Sequence, residues 1–69
     1  MLFEEYLNKM VKVVFHETDG NGEKIEKALK GKIIDITPLF VTVDQIDNRG
    51  LTTLSVGKVD RITERPDLI

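Results

Sequence analysis

Gly31-Lys32-Ile33-Ile34-Asp35-Ile36-Thr37-Pro38-Leu39-Phe40-Val41-Thr42-Val43 is the stretch on which the fold turns. Two runs rich in β-branched residues meet there at Thr37-Pro38. Pro38 fixes its own φ and has no N–H to give a ladder, so one internal strand running through it is disfavoured. The segment predicts two strands joined by a very tight connection, with Gly31 permitting a sharp bend in the first. Strands arranged this way belong to small, strongly curved β structures.

Working back from that segment, Val11-Lys12-Val13-Val14-Phe15-His16 places Val11, Val13 and Phe15 on one face. Lys12, Val14 and His16 fall on the other, which predicts a half-buried strand over 11–16. Asp19-Gly20-Asn21-Gly22 is a turn signal that closes a hairpin, because Gly and Asn accept positive φ. The stretch 23–30 admits two readings. Ile25, Ala28 and Leu29 have helical spacing among good helix formers. Read as strand, Ile25, Leu29 and Ile33 share a face. The turn before it and the strand after it favour one long strand over 23–36; a helix here would make the chain an α+β module instead.

Forward of the segment, 40–46 alternates as a third strand, and Asp47-Asn48-Arg49-Gly50 is a second turn cluster. A fourth strand is expected over 51–56, with Leu54 and Val56 on one side and Thr53 and Ser55 on the other. Gly57-Lys58 breaks it, and a short fifth strand follows over 59–63. At the start, Leu2, Phe3, Tyr6, Leu7 and Met10 fall at helical spacing, which predicts a short amphipathic helix over 2–10. Glu4 and Glu5 sit in its first half, where the helix dipole favours negative charge. The expectation is one domain over 1–69: mainly β, a short N-terminal helix and then five antiparallel strands.

Composition bounds what such a domain can do. A chain of 69 residues buries only about 60 % of its unfolded surface, so packing or self-association must supply stability. With no cysteine there is no disulfide, thiolate metal site or thiol nucleophile. The single histidine, His16, cannot build a multi-histidine metal site. A net charge of −2, from 10 Lys plus Arg and 12 Asp plus Glu, makes no global case for nucleic acid. Apolar runs of only a few residues predict neither a membrane span nor a signal peptide, hence a cytoplasmic protein.

Candidate chemistry is sparse. His16 ends a strand with no evident acid–base partner, and Asp35, Asp44, Asp47 and Asp60 are scattered without ligand spacing. Thr52, Thr53 and Ser55 lack a base in any recognisable arrangement. The glycines form no phosphate loop. The reading is not an enzyme, with no catalytic, cofactor-binding or metal residue. Lys24, Lys27, Lys30 and Lys32 are the only basic concentration, interleaved with Glu23 and Glu26. As a patch they would hold phosphates without sequence preference; as an interleaved set they read as a solvated face.

A helix followed by five strands, the second long and bent at a glycine, resembles the Sm-like (LSm) small barrel, an SH3-like architecture. The resemblance covers about Leu2 to Ile62. Met10-Val11-Lys12-Val13-Val14 looks like the end of the family's helix and its first strand; Gly31, Ile33 and Ile36 sit where the first Sm motif has its glycine and following apolar positions. Leu54-Ser55-Val56-Gly57 looks like the second motif's strand ending in a glycine, with Val59 and Ile62 in the closing strand. The run Val43-Asp44-Gln45-Ile46-Asp47-Asn48-Arg49-Gly50 is similar to short archaeal members of uncharacterised role.

The resemblance implies a ring of identical subunits, in which strand 51–56 pairs with the neighbour's strand 59–63, and contact with single-stranded RNA. It also shows a departure. Members that bind oligo-U carry Asp and Asn in the loop after the second strand and Arg before the second motif's glycine. Here those positions fall at Thr37, near Phe40 or Val41, and at Val56, so the groups that read base edges are missing. The residues left to contact RNA or a partner are Thr37, Phe40, Lys27, Lys30, Gly57 and Lys58. The expected function is a non-catalytic, ring-forming, RNA-contacting scaffold without cofactor; the alternative is an SH3-like barrel that binds a protein partner.

Overall fold

A computed structural model describes residues 3–68. It is mainly β, with five strands: β1 (Met10–Thr18), β2 (Lys24–Ile36), β3 (Phe40–Gln45), β4 (Gly50–Ser55) and β5 (Val59–Glu64). All pair antiparallel in one sheet of order β4-β3-β2-β1-β5. The sheet is open: β4 and β5 are its two edges. Three short 3-10 turns, Glu4–Tyr6, Val56–Lys58 and Pro66–Leu68, complete the secondary structure of the described residues.

The long second strand settles the ambiguity over 23–30. Each residue from Lys24 to Lys32 has a partner on β1, so the ladder overrides the helical spacing of Ile25, Ala28 and Leu29. The hairpin turn is held by the Asp19 carboxylate, which accepts the N–H groups of Asn21 (2.8 Å) and Glu23 (2.9 Å). Such Asx bonding mimics a backbone turn and explains the Asp at this place.

The N-terminal helix is corrected to a single 3-10 turn, Glu4–Tyr6. Leu2 lies outside the described residues. Leu7 is already extended and Asn8 has φ 66°, so the helical path ends there. The backbone then joins the sheet: Asn8 N–H donates to the Ile33 carbonyl (2.7 Å) and Ile33 N–H to the Lys9 carbonyl (3.2 Å). A helix of two turns is marginal in isolation, and ladder bonds to β2 outcompete it.

Gly31 is required, though for a reason other than a bend. A Cβ there would overlap the Asp44 carbonyl oxygen and lie 2.8 Å from both the Asp44 carbonyl carbon and the Gln45 Cα. Glycine therefore lets the backbones of β2 and β3 close up. The irregularity comes further along, at Ile34. Ile33 opposes Val43 and Asp35 opposes Thr42, which leaves Ile34 as the extra residue of a bulge.

One face of the sheet forms the core. Val11, Val13, Ile33, Val41 and Val43 are fully buried, with Phe15, Leu54 and Ile62 nearly so. Each such side chain contributes roughly 1.5–3 kcal/mol through burial. Phe3 and Tyr6 pack against this cluster, which gives the first turn its role despite its lost helicity.

Candidate functional site

The connection between β2 and β3 is a rigid knuckle over 37–39. Thr37 organises it: its Oγ1 accepts the N–H of Leu39 (3.2 Å) and of Phe40 (2.9 Å), and its own N–H donates to the Phe40 carbonyl (2.8 Å). The knuckle is bound to the end of β4 by Val56 N–H donating to the Leu39 carbonyl (2.9 Å). Leu39 and Phe40 are thereby held in water, 67 % and 48 % exposed. Phe40 is no core residue. Val41 and Val43 take the inward positions of the alternating strand.

Thr37, Phe40 and Gly57 therefore gather at one end of the sheet, with Lys58 exposed in the 3-10 turn Val56–Lys58. The knuckle offers an exposed aromatic side chain, while the Lys58 charge reaches Glu17 on β1. The Thr37 hydroxyl is already engaged in the loop, which leaves it poorly placed to read a base edge.

Lys27 and Lys30 separate. Strand alternation turns Lys27 to the face of Phe15, where its Nζ meets the Glu17 carboxylate at 3.0 Å. That hydrogen bond, together with the lysine's charge, holds the Glu17 carboxyl below its ordinary range. Lys30 points to the opposite face, directly across from Lys12. The four lysines of 24–32 are thus no single patch, since Lys27 stands apart from Lys24, Lys30 and Lys32. The face that carries Lys30 gains Lys12 from β1 and Arg61 from β5 instead. Their outward positions were readable from alternation; the register that assembles them was not.

His16 has a partner that spacing did not reveal. Its Nδ1 lies 2.9 Å from Asp60 Oδ1, with side chains 26 % and 31 % exposed. Asp60 reaches it because β5 is irregular there: Val14 opposes Arg61 and Phe15 opposes Val59, so Asp60 is the extra residue. Among the described residues no hydroxyl nucleophile hydrogen-bonds this pair, and it lines neither of two surface clefts.

Of those clefts, one of about 320 Å³ lies between the start of β1 and the end of β5, beside the Lys9–Glu64 ion pair (3.1 Å). The other, about 240 Å³, is lined by Lys30, Gln45, Ile46 and Arg49 among others. Among the described residues no three His, Cys, Asp or Glu side chains are grouped to hold a metal ion, and no helix is long and apolar enough to cross a membrane. Comparison with protein-family models, curated proteins and solved structures finds no match for the chain.

Proposed function

We propose that the chain is a non-catalytic, Sm-like scaffold whose curved sheet wraps into a small barrel left open between β4 and β5, and whose copies associate edge to edge in a ring. The observation that carries this reading is the strand order β4-β3-β2-β1-β5, which leaves two six-residue edges without a ladder partner. Unpaired edges invite strand addition, and β4 of one copy against β5 of the next hides both. The added burial also helps a domain this small.

RNA contact is the second part of the reading. Its support is the exposed Phe40, a stacking surface on the loop that Val56 ties to the turn Val56–Lys58. Base-specific readout is not expected, since Thr37 and Val56 supply no free donor or acceptor pair there. The competing reading is an SH3-like module that captures an extended peptide from another protein along β4, with Leu39 and Phe40 as anchors. Light scattering separates the two: the ring gives a closed species of several subunits without any partner, whereas the module stays monomeric until a peptide is added. Titrating oligo-U at moderate salt against wild type and Phe40→Ala then tests the RNA part, which predicts weaker binding by the variant.

A further inference from the structure

The face of β2, β1 and β5 turned away from the core carries cations in an arrangement that the fold alone does not favour. Lys12 opposes Lys30 directly across the β1–β2 ladder, and Arg61 opposes Val14, the next outward residue along β1. Like charges directly opposite one another destabilise a sheet. Among the described residues, Lys12, Lys30 and Arg61 have no ion pair or side-chain hydrogen bond. The neighbouring carboxylates are committed or flanking. Asp44 opposes Lys32, Asp67 lies within reach of the Lys30 charge but is forked onto Arg65 (2.9 and 2.8 Å), and Asp60 meets His16. Glu26 sits across from His16, one row beyond Ala28.

The floor between the three cations is Val14, 3 % exposed, with Ala28 beside it. It offers no apolar pocket. The aromatic residues do not reach this face either: Phe3, Tyr6 and Phe15 pack on the core, and Phe40 belongs to β3. A partner here meets positive charge without a stacking platform. Nor does the face suit a peptide. β1, which runs between Lys30 and Arg61, is paired on both sides, so a peptide could add only along the outer edge of β5, away from Lys12 and Lys30.

We infer that this outer face of β1, β2 and β5 holds the phosphodiester backbone of a single-stranded nucleic acid, blind to base, through Lys12, Lys30 and Arg61. Successive outward positions along a strand are about 7 Å apart and opposed positions about 5 Å apart. The three cations therefore form a short track that an extended backbone can follow. The Lys12–Lys30 repulsion is relieved when phosphates lie between them. This deepens the RNA-contact part of the reading above and rests on it, but it does not require ring closure.

The test uses fluorescence anisotropy of labelled oligo-U and oligo-A with the full chain, with polyglutamate as competitor and light scattering on every sample. Three phosphate contacts predict an affinity loss of about twentyfold between 50 and 200 mM salt, with U and A bound about equally. Lys12→Gln with Lys30→Gln should cut affinity at least tenfold and flatten the salt dependence, with subunit mass unchanged and thermal stability equal or higher. Arg61→Gln, made separately, should act in the same direction, while Lys27→Gln on the other face should leave binding alone. Binding that survives the Lys12 and Lys30 changes but falls with Phe40→Ala would keep the RNA reading and overturn this face. A preference for U above tenfold, or polyglutamate binding as tightly through the same lysines, would overturn it as well. No binding to either oligonucleotide sinks both.

Discussion

The two edges of the sheet are the same length and differ in nearly everything else. β4, Gly50-Leu51-Thr52-Thr53-Leu54-Ser55, carries no charged residue and pairs with β3 in unbroken register from Phe40–Ser55 to Gln45–Gly50. β5 carries Asp60, Arg61 and Glu64 and is interrupted by the irregularity at Asp60. Charges and bulges are what proteins place on edges to stop strand addition. β5 has both, and β4 has neither. β5 against β5 is doubly discouraged, whereas the β4–β5 contact of the proposed ring brings guards from one side only. In the proposed ring the asymmetry would also give the association a direction, which closes when the rotation per subunit allows.

The largest effect is expected where the β4 side hangs from the rest. Gly31→Val forces a side chain into the Asp44 carbonyl and should part β3 and β4 from β2. The expected loss is about 3 kcal/mol or more, since the clash is with backbone and cannot be relieved by a rotamer change. Hydrogen exchange would show protection falling first over 40–55; uniform loss across all strands would argue that the β4 side is no separable unit.

Next come matched truncations on the two edges. Leu54→Ala on β4 and Ile62→Ala on β5, at 7 % and 8 % exposure, should each cost about 2–4 kcal/mol in denaturant unfolding. Similar losses would mean that the edges differ in their outward character and not in how firmly they are seated. Thr37→Val is milder. It strips the acceptor from two N–H groups in the knuckle that leans on β4, for about 1 kcal/mol, read as a lower melting temperature.

The smallest effect is from pH. The ion pairs Lys27–Glu17 and Arg65–Asp67 hold both carboxyls below their ordinary range. Carboxyls depressed in the folded state contribute stability above their unfolded pKa, about 4, and that contribution is lost as pH falls through the folded value. Both groups are solvent-exposed, so acid titration below that range should lower the melting temperature only slightly. A rise on acidification would contradict the pairing.

How far the sequence led can be seen at particular residues. The five strands were legible from alternation and turn residues: Val11, Val13 and Phe15, the Asp19–Gly22 turn, and Pro38 between two β-branched runs. Helical spacing misled at the N-terminus, because periodicity over so few residues cannot register that Asn8 and Lys9 have ladder partners on Ile33. Gly31 was singled out correctly, yet its reason, the approach of Asp44, depends on register. Register is also what hid the proposed basic face. The four lysines of 24–32 looked contiguous, but alternation divides them, and only pairing with β1 and β5 brings Lys12 and Arg61 to Lys30. The same holds for His16, whose partner Asp60 is 44 residues away in sequence.

The central claim is that β4 is an open docking edge for β5 of another copy. Light scattering on purified wild type and Thr53→Lys, at equal concentration, tests it most directly. The account predicts a single closed species of several subunits for wild type and a folded monomer for the variant, whose charge on β4 imitates the guard that β5 already carries. A wild type that is monomeric across the accessible concentration range, or a variant that assembles as before, would contradict it.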